Sequence, residues 1–203
     1  MTTTVYLVRH GATGANLDNR FAGRTDEALH RQGREQAEEL GRRFAAIGLH
    51  RIVCGPLART VETAAIIAAA TGSPRLVDAR LTEIDLPHWD GLTKDEIRAR
   101  FGPEYPTWLE SPQTFAVAGC ETVAAVQRRA VAAVEELFAG HPGQRLLVVS
   151  HLIVIRSLLL HYLGMEIARF RTLKVGNGEV VRLVRRGDGT TEVARDEGVL
   201  PEG

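Results

Sequence analysis

Val5-Tyr6-Leu7-Val8-Arg9-His10-Gly11 runs from four consecutive apolar side chains straight into an arginine, a histidine and a glycine. A strand with one wet face alternates apolar and polar residues. A run that is apolar at every position instead fits a strand covered on both faces, as in a parallel sheet flanked by helices. Leu146-Leu147-Val148-Val149 and the shorter Ile52-Val53-Cys54 have the same character. Helical periods lie between these runs. Ala37, Leu40, Phe44 and Ile47 share one face of 31–47, while Arg34, Glu38, Arg42 and Arg43 fall elsewhere. Val61, Ala65 and Ala68 mark a helix over 57–70 that Gly72 ends, and Val123, Val126, Ala130, Val134 and Leu137 mark one that Gly140 closes. Residues 153–163 are a further, mostly apolar helical stretch. Residues 179–185 alternate weakly and are predicted to form a late edge strand, followed by the turn Gly187-Asp188-Gly189 and a short returning strand. Strands alternating with helices predict an α/β fold, a three-layer sandwich with a mostly parallel central sheet between helices.

The rhythm breaks between Leu86 and Ala118. That segment holds Pro87, Pro103, Pro106 and Pro112 together with Trp89, Phe101, Tyr105, Trp108 and Phe115. Thr93 followed by Glu96 reads as a capping box opening a short helix. The expectation is one domain over 1–203 carrying a partly helical lid insertion at about 86–118. Its aromatics either pack against the sheet or cover a substrate.

Composition narrows the function classes. The 203 residues are 44% hydrophobic and 25% charged, which suits one globular domain with a real core. Formal net charge is zero, so neither a nucleic-acid nor a membrane surface is expected. No apolar stretch is long enough for a membrane span, and the N-terminus lacks the pattern of a signal peptide, so a cytoplasmic location is expected. Cys54 and Cys120 have no spacing that suggests a redox pair or a metal site, and neither a metal nor a cofactor is expected. A homodimer through the edge of the late strand is left open. Only Lys94 and Lys174 are lysines, so the basic charge is otherwise arginine. An arginine's forked donors match oxyanions, but each has to be argued singly.

The chemistry sits immediately after each buried run. Arg9-His10-Gly11 comes after the first, Gly55-Pro56-Leu57-Ala58-Arg59 after the second, and Ser150-His151 after the third. In an open parallel sheet the carboxyl ends of the strands share an edge where ligands bind. Two histidines and two arginines are therefore expected to converge there, His10 at the mouth of the sheet and contributing little packing. A neutral imidazole is a competent nucleophile toward phosphorus. Two guanidinium groups neutralise phosphoryl oxygens, and a second histidine donates to an oxygen where charge accumulates. A leaving alkoxide needs a proton, for which Glu83 in Leu81-Thr82-Glu83 is the candidate donor; a helix-start or salt-bridge role for it is the alternative.

Arg9-His10-Gly11-Ala12-Thr13 resembles the RHG motif of the histidine phosphatase superfamily, the phosphoglycerate mutase-like family. The resemblance extends over nearly the whole chain. It includes 16–23 with Asp26, Leu29 and Gly33, then 55–59 with Glu62-Thr63-Ala64, then Leu81-Thr82-Glu83 with Trp89-Asp90-Gly91. Gly119-Cys120-Glu121-Thr122 and Val148-Val149-Ser150-His151 with Arg156 complete it. It implies a cofactor-independent phosphomonoester hydrolase acting on small phosphorylated metabolites through a phosphohistidine on His10. Arg9, Arg59 and His151 would complete the phosphate pocket, with Glu83 as proton donor. Asn16, Ala22, Gly23 and the Leu152 amide would help bind phosphate or the adjoining substrate group. Phosphoglycerate mutase-type transfer and a non-catalytic phosphate sensor are the alternatives on this scaffold. Arg20, Arg24 and Arg80 are candidates to meet a substrate carboxylate. Gly55 departs from the family's usual serine, and Leu152-Ile153 from its frequent Gly-Gly, which bears on substrate size.

Overall fold

The computed structural model describes residues 1–195. Within them β1 (Thr3–Arg9), β2 (Arg51–Cys54), β3 (Arg75–Val77), β4 (Arg145–Ser150), β5 (Val180–Arg185) and β6 (Thr191–Arg195) form one sheet in the order β3-β2-β4-β1-β5-β6. The first four strands in that order run parallel; β5 is antiparallel to β1, and β6 to β5. The expected α/β sandwich with a mostly parallel sheet is what forms.

Successive side chains of a strand point to opposite faces, and here both faces are covered. Val5 and Leu7 of β1, with Leu146 and Val148 of β4, enter a core built with α6 (Val123–Gly140) and α7 (Leu152–Tyr162). Tyr6 and Val8, with Leu147 and Val149, enter a second core under α2 (Arg31–Ala45) and α3 (Ala58–Thr71). This is why the runs are apolar at every position. Each side chain so buried contributes roughly 1.5–3 kcal/mol. Gly72 caps α3 in the left-handed region, at φ 69, as expected. Gly140 is only the last residue of α6, and the positive φ comes later, at Gly143.

The late strand is not an edge. Val180 and Val181 pair with Val8 and Leu7 on one side, and β6 covers the other side of β5. Its alternation is weak because Val180, Val181 and Leu183 are all buried, on both faces of the sheet. The strand edge expected to be open for a homodimer is therefore occupied within the chain. The edges among the described residues are β6 and β3, and β3, three exposed residues, carries no signal in the sequence.

The 86–118 segment carries α4 (Lys94–Phe101), opened by the Thr93–Glu96 capping box, and α5 (Glu104–Glu110); the short α1 (Gly14–Leu17) precedes α2. Its aromatics pack. Trp108 makes edge contacts with Trp89, Phe115 and Phe170 at ring separations of 5.9, 5.2 and 5.7 Å, and all four rings are buried. No helix among the described residues is long and apolar enough to cross a membrane.

Candidate active site

Strand register brings the chemistry to one edge. Arg9 lies opposite Ser150 and Cys54 opposite Val149, so His10, Gly55 and His151 leave the sheet side by side at the carboxyl ends of β1, β2 and β4. A cleft of about 370 Å³ opens there. Arg9, His10, Arg59 and Glu83 line it, and so do Asn16, Ala22, Gly23 and Leu152. His151 does not reach the cleft surface. It is fully buried behind His10, the two rings meeting edge-on with centroids 5.2 Å apart.

The His10 ring is itself only 3% exposed, so it packs inside the site rather than standing at its mouth. Its Nδ1 lies 2.8 Å from the Gly11 carbonyl, which can only accept. Nδ1 therefore carries the proton and Nε2 keeps its lone pair. Burial, reinforced by the Arg59 charge, holds the His10 pKa well below the usual range and keeps the ring neutral. Burial and then the neighbouring His10 do the same to His151, whose two ring nitrogens have no hydrogen-bond partner among the described residues.

Arg59 emerges from the first turn of α3, 1% exposed, and donates to the Gly23 and Thr25 carbonyls at 2.7 Å each. One guanidinium thus fixes the loop that forms the opposite wall. Arg9 donates to the Val175 carbonyl at 2.9 Å. Burial works against the charge on both arginines, most directly offset by Glu83. Glu83 is 9% exposed, and burial raises its pKa despite the two arginines. Its Oε1 accepts from the Ile84 amide at 2.9 Å and its Oε2 from the Ile153 amide, in the first turn of α7, at 3.5 Å. The cleft floor therefore joins two cations to a carboxyl biased toward its neutral form. Such a floor favours an anion.

Two glycines are there for space. A Cβ on Gly11 would overlap the Gly33 carbonyl, where the loop after β1 lies on the start of α2. Gly23 has φ 43, and a Cβ there would run into the Asp90 carboxylate. Gly55, in place of a serine, obeys the same logic. A Cβ would sit 2.8 Å from the Leu81 carbonyl and 3.3 Å from His151 Nε2.

Of the arginines considered for a substrate carboxylate, only Arg20 lines the cleft, and it is paired with Glu96 at 3.2 Å. Arg24 is spent on Asp85, Glu121 and the Glu83 carbonyl, and Arg80 on Asp78 and Glu136. Asn177 joins the site without having been expected there. It donates to the His10 carbonyl at 2.9 Å and to Asn16 Oδ1 at 3.0 Å, which leaves the Asn16 NH₂ for the cleft. No local signal marks it. It reaches the site because β5 is antiparallel, so the chain entering β5 lies beside the end of β1. Phe21, Ile84 and Ile153 add an apolar wall, and Lys94, which makes no ion pair among the described residues, stands with Arg20 on the same cleft.

Residues 5–197 match the model of the histidine phosphatase superfamily (branch 1). Phosphoserine phosphatase 1 of Hydrogenobacter thermophilus is 31% identical over 164 residues, 81% of this chain and 78% of the relative. A probable phosphoglycerate mutase GpmB of Enterobacter is 32% identical, with 88% of this chain and 83% of the relative covered. The solved structure of Bacillus stearothermophilus YhfR superposes with a TM-score of 0.91 at 32% identity, covering 97% of this chain and 98% of that one. With its sheet, its paired histidines and its arginine-lined cleft, the chain belongs to the histidine phosphatase superfamily, branch 1, and is an enzyme of the histidine phosphatase type.

Proposed function

We propose that the chain hydrolyses small phosphomonoesters through a phosphohistidine on Nε2 of His10. The observation that carries this is the His10 tautomer: Nδ1 held by the Gly11 carbonyl, Nε2 free, on a cleft floor shared with two guanidinium groups. Nε2 attacks phosphorus, the P–N bond forms and the P–O bond to the leaving group breaks. Glu83, its pKa raised by burial toward the protonated form, gives its proton to the departing oxygen. The resulting carboxylate then takes a proton from water, whose oxygen attacks phosphorus as the P–N bond breaks. Free phosphate leaves and both side chains regain their starting state. Arg9 and Arg59 offset the charge on the phosphoryl oxygens, and His151, adjoining His10, supports that end of the site.

The cleft suits a compact substrate. Its polar floor takes the phosphate, while Phe21, Ile84, Leu152 and Ile153 face the organic part. Leu152-Ile153, bulky where glycines are frequent, make that wall apolar. A mutase reading keeps one observation of its own: Lys94 on the cleft, with no ion pair among the described residues, suits a substrate with a second anionic group.

The test is a quenched reaction with labelled phosphomonoester, then mapping of any acid-labile, base-stable phosphoryl group. Label is expected on His10 and none in His10→Ala, which should also lose turnover. Steady-state turnover by a clean His10→Ala preparation, or label on a different residue, would overturn the reading. Product analysis with 3-phosphoglycerate separates free phosphate from the 2-phosphoglycerate a mutase makes.

A further inference from the structure

The backbone bearing Glu83 has no sheet or helix to hold it. A 3₁₀ turn, Ala79–Leu81, ends just before it, and an irregular run leads on to Trp89. Its carbonyls are nevertheless bound one after another. Ser150 Oγ donates to the Leu81 carbonyl at 2.8 Å. Arg129, from the middle of α6, donates through Nη1 to the carbonyls of Arg80 at 2.7 Å and Thr82 at 2.6 Å, and through Nη2 to that of Glu83 at 3.2 Å. The Glu121 carboxylate aligns the guanidinium, accepting from Nε at 2.7 Å and from Nη2 at 2.9 Å. Glu121 also grips the far side of the segment. Its amide donates to the Asp85 carbonyl at 2.8 Å, and its Oε2 accepts from the Asp85 amide at 3.3 Å. Arg24 adds a second donor to the Glu83 carbonyl at 3.1 Å.

We infer that Arg129, aligned by Glu121, is the positioning residue for the Glu83 proton donor. Arg129 is not on the cleft surface and touches no reacting atom. It acts by fixing the main chain on both sides of the acid's Cα, so that the carboxyl stays buried and directed at the departing oxygen. Proton transfer needs donor and acceptor within hydrogen-bond reach, so a small shift of this chain selectively harms the step that uses the acid. Only a planar fork spans three carbonyls and a carboxylate at once; a lysine ammonium, with three donors on one atom, does not. The inference rests on reading Glu83 as the proton donor.

The experiment compares Arg129→Lys, Glu121→Gln and Glu83→Gln with the unaltered enzyme on two substrates. One is p-nitrophenyl phosphate, whose leaving group needs little protonation; the other is an alkyl phosphate, whose leaving group needs it fully. Thermal melting of each variant is measured in parallel. Arg129→Lys is expected to lose roughly 10- to 100-fold in kcat on the alkyl phosphate, part of the 10²–10⁴ a positioned acid supplies, with a loss of only about threefold on p-nitrophenyl phosphate. The basic limb of its pH–rate profile should also move to lower pH, because a loosened segment admits water to the carboxyl. Glu121→Gln should shift both readouts in the same direction and by less, and it decides the matter if Arg129→Lys does not fold. Equal losses on the two substrates, with Glu83→Gln still selective, would show Arg129 to be structural only and end the inference. Equal losses in Glu83→Gln itself would remove the acid, and the positioning role with it.

Discussion

Acid should destabilise this protein through His10 and His151. Both rings are buried, 3% and 0% exposed, and each faces the other and the cations Arg9 and Arg59, with Arg129 also near His151 and the Gly11 carbonyl opposing at His10. Both folded-state pKa values lie well below the ordinary 6.5. In the unfolded chain each imidazole titrates near 6.5, so below that pH the unfolded state binds more protons and stability falls as pH falls. A ring that stays neutral in the folded state loses about 1.4 kcal/mol between pH 7.5 and 5.5, and two such rings about 2.7 kcal/mol. Glu83 runs the opposite way, since its raised pKa favours the folded state on acidification, but it is common to every variant compared. Urea unfolding at the two pH values, for the parent chain, His151→Gln and His10→Gln/His151→Gln, isolates the histidines. The parent should lose about 1.4 kcal/mol more than the single variant and about 2.7 more than the double one. Parallel losses in all three proteins would mean that the rings take up protons in the folded state, and the neutral-nucleophile argument would fail with them.

Gly33→Ala puts a methyl into the Ala12 backbone and forces the His10–Thr13 loop off α2. A loss of about 1–3 kcal/mol in urea unfolding is expected, together with weaker inhibition by inorganic phosphate. Trp108→Ala empties the middle of the aromatic cluster under the 86–118 segment and should cost about 3–5 kcal/mol, read as a lowered urea midpoint. Inorganic phosphate at 100 times its Kd should stabilise the parent chain by about 2.7 kcal/mol, and at the same concentration much less in Arg59→Ala, measured by thermal shift.

The fold is legible in the sequence where the signal is local. Apolar runs locate three of the four parallel strands, periodicity locates α2, α3, α6 and α7, and Thr93 with Glu96 locates the start of α4. It is not legible at β3, whose three exposed residues form a strand only by pairing with β2. Nor is it at β5, where a pattern that looks half-wet belongs to a strand with neighbours on both sides. Arg24 and Arg80 look free for substrate because an arginine's partner is invisible until the chain folds. Both are committed to acids, three of them distant in sequence: Asp85 and Glu121 for Arg24, and Glu136 for Arg80.

The order of amino acids by itself determined the inventory: which side chains come directly after a buried strand, and hence that Arg9, His10, Arg59 and His151 reach one edge. Adjacency along the chain and strand direction are enough for that. Tertiary structure alone decided the state and the support of those groups. Which nitrogen of His10 is free, why the Glu83 carboxyl is biased toward its neutral form, why His151 lies behind the cleft, and which residue orients Asn16 all depend on burial and on contacts such as Asn177 with Asn16. Desolvation and hydrogen-bond geometry are properties of packed neighbours, and those neighbours meet only in the folded chain.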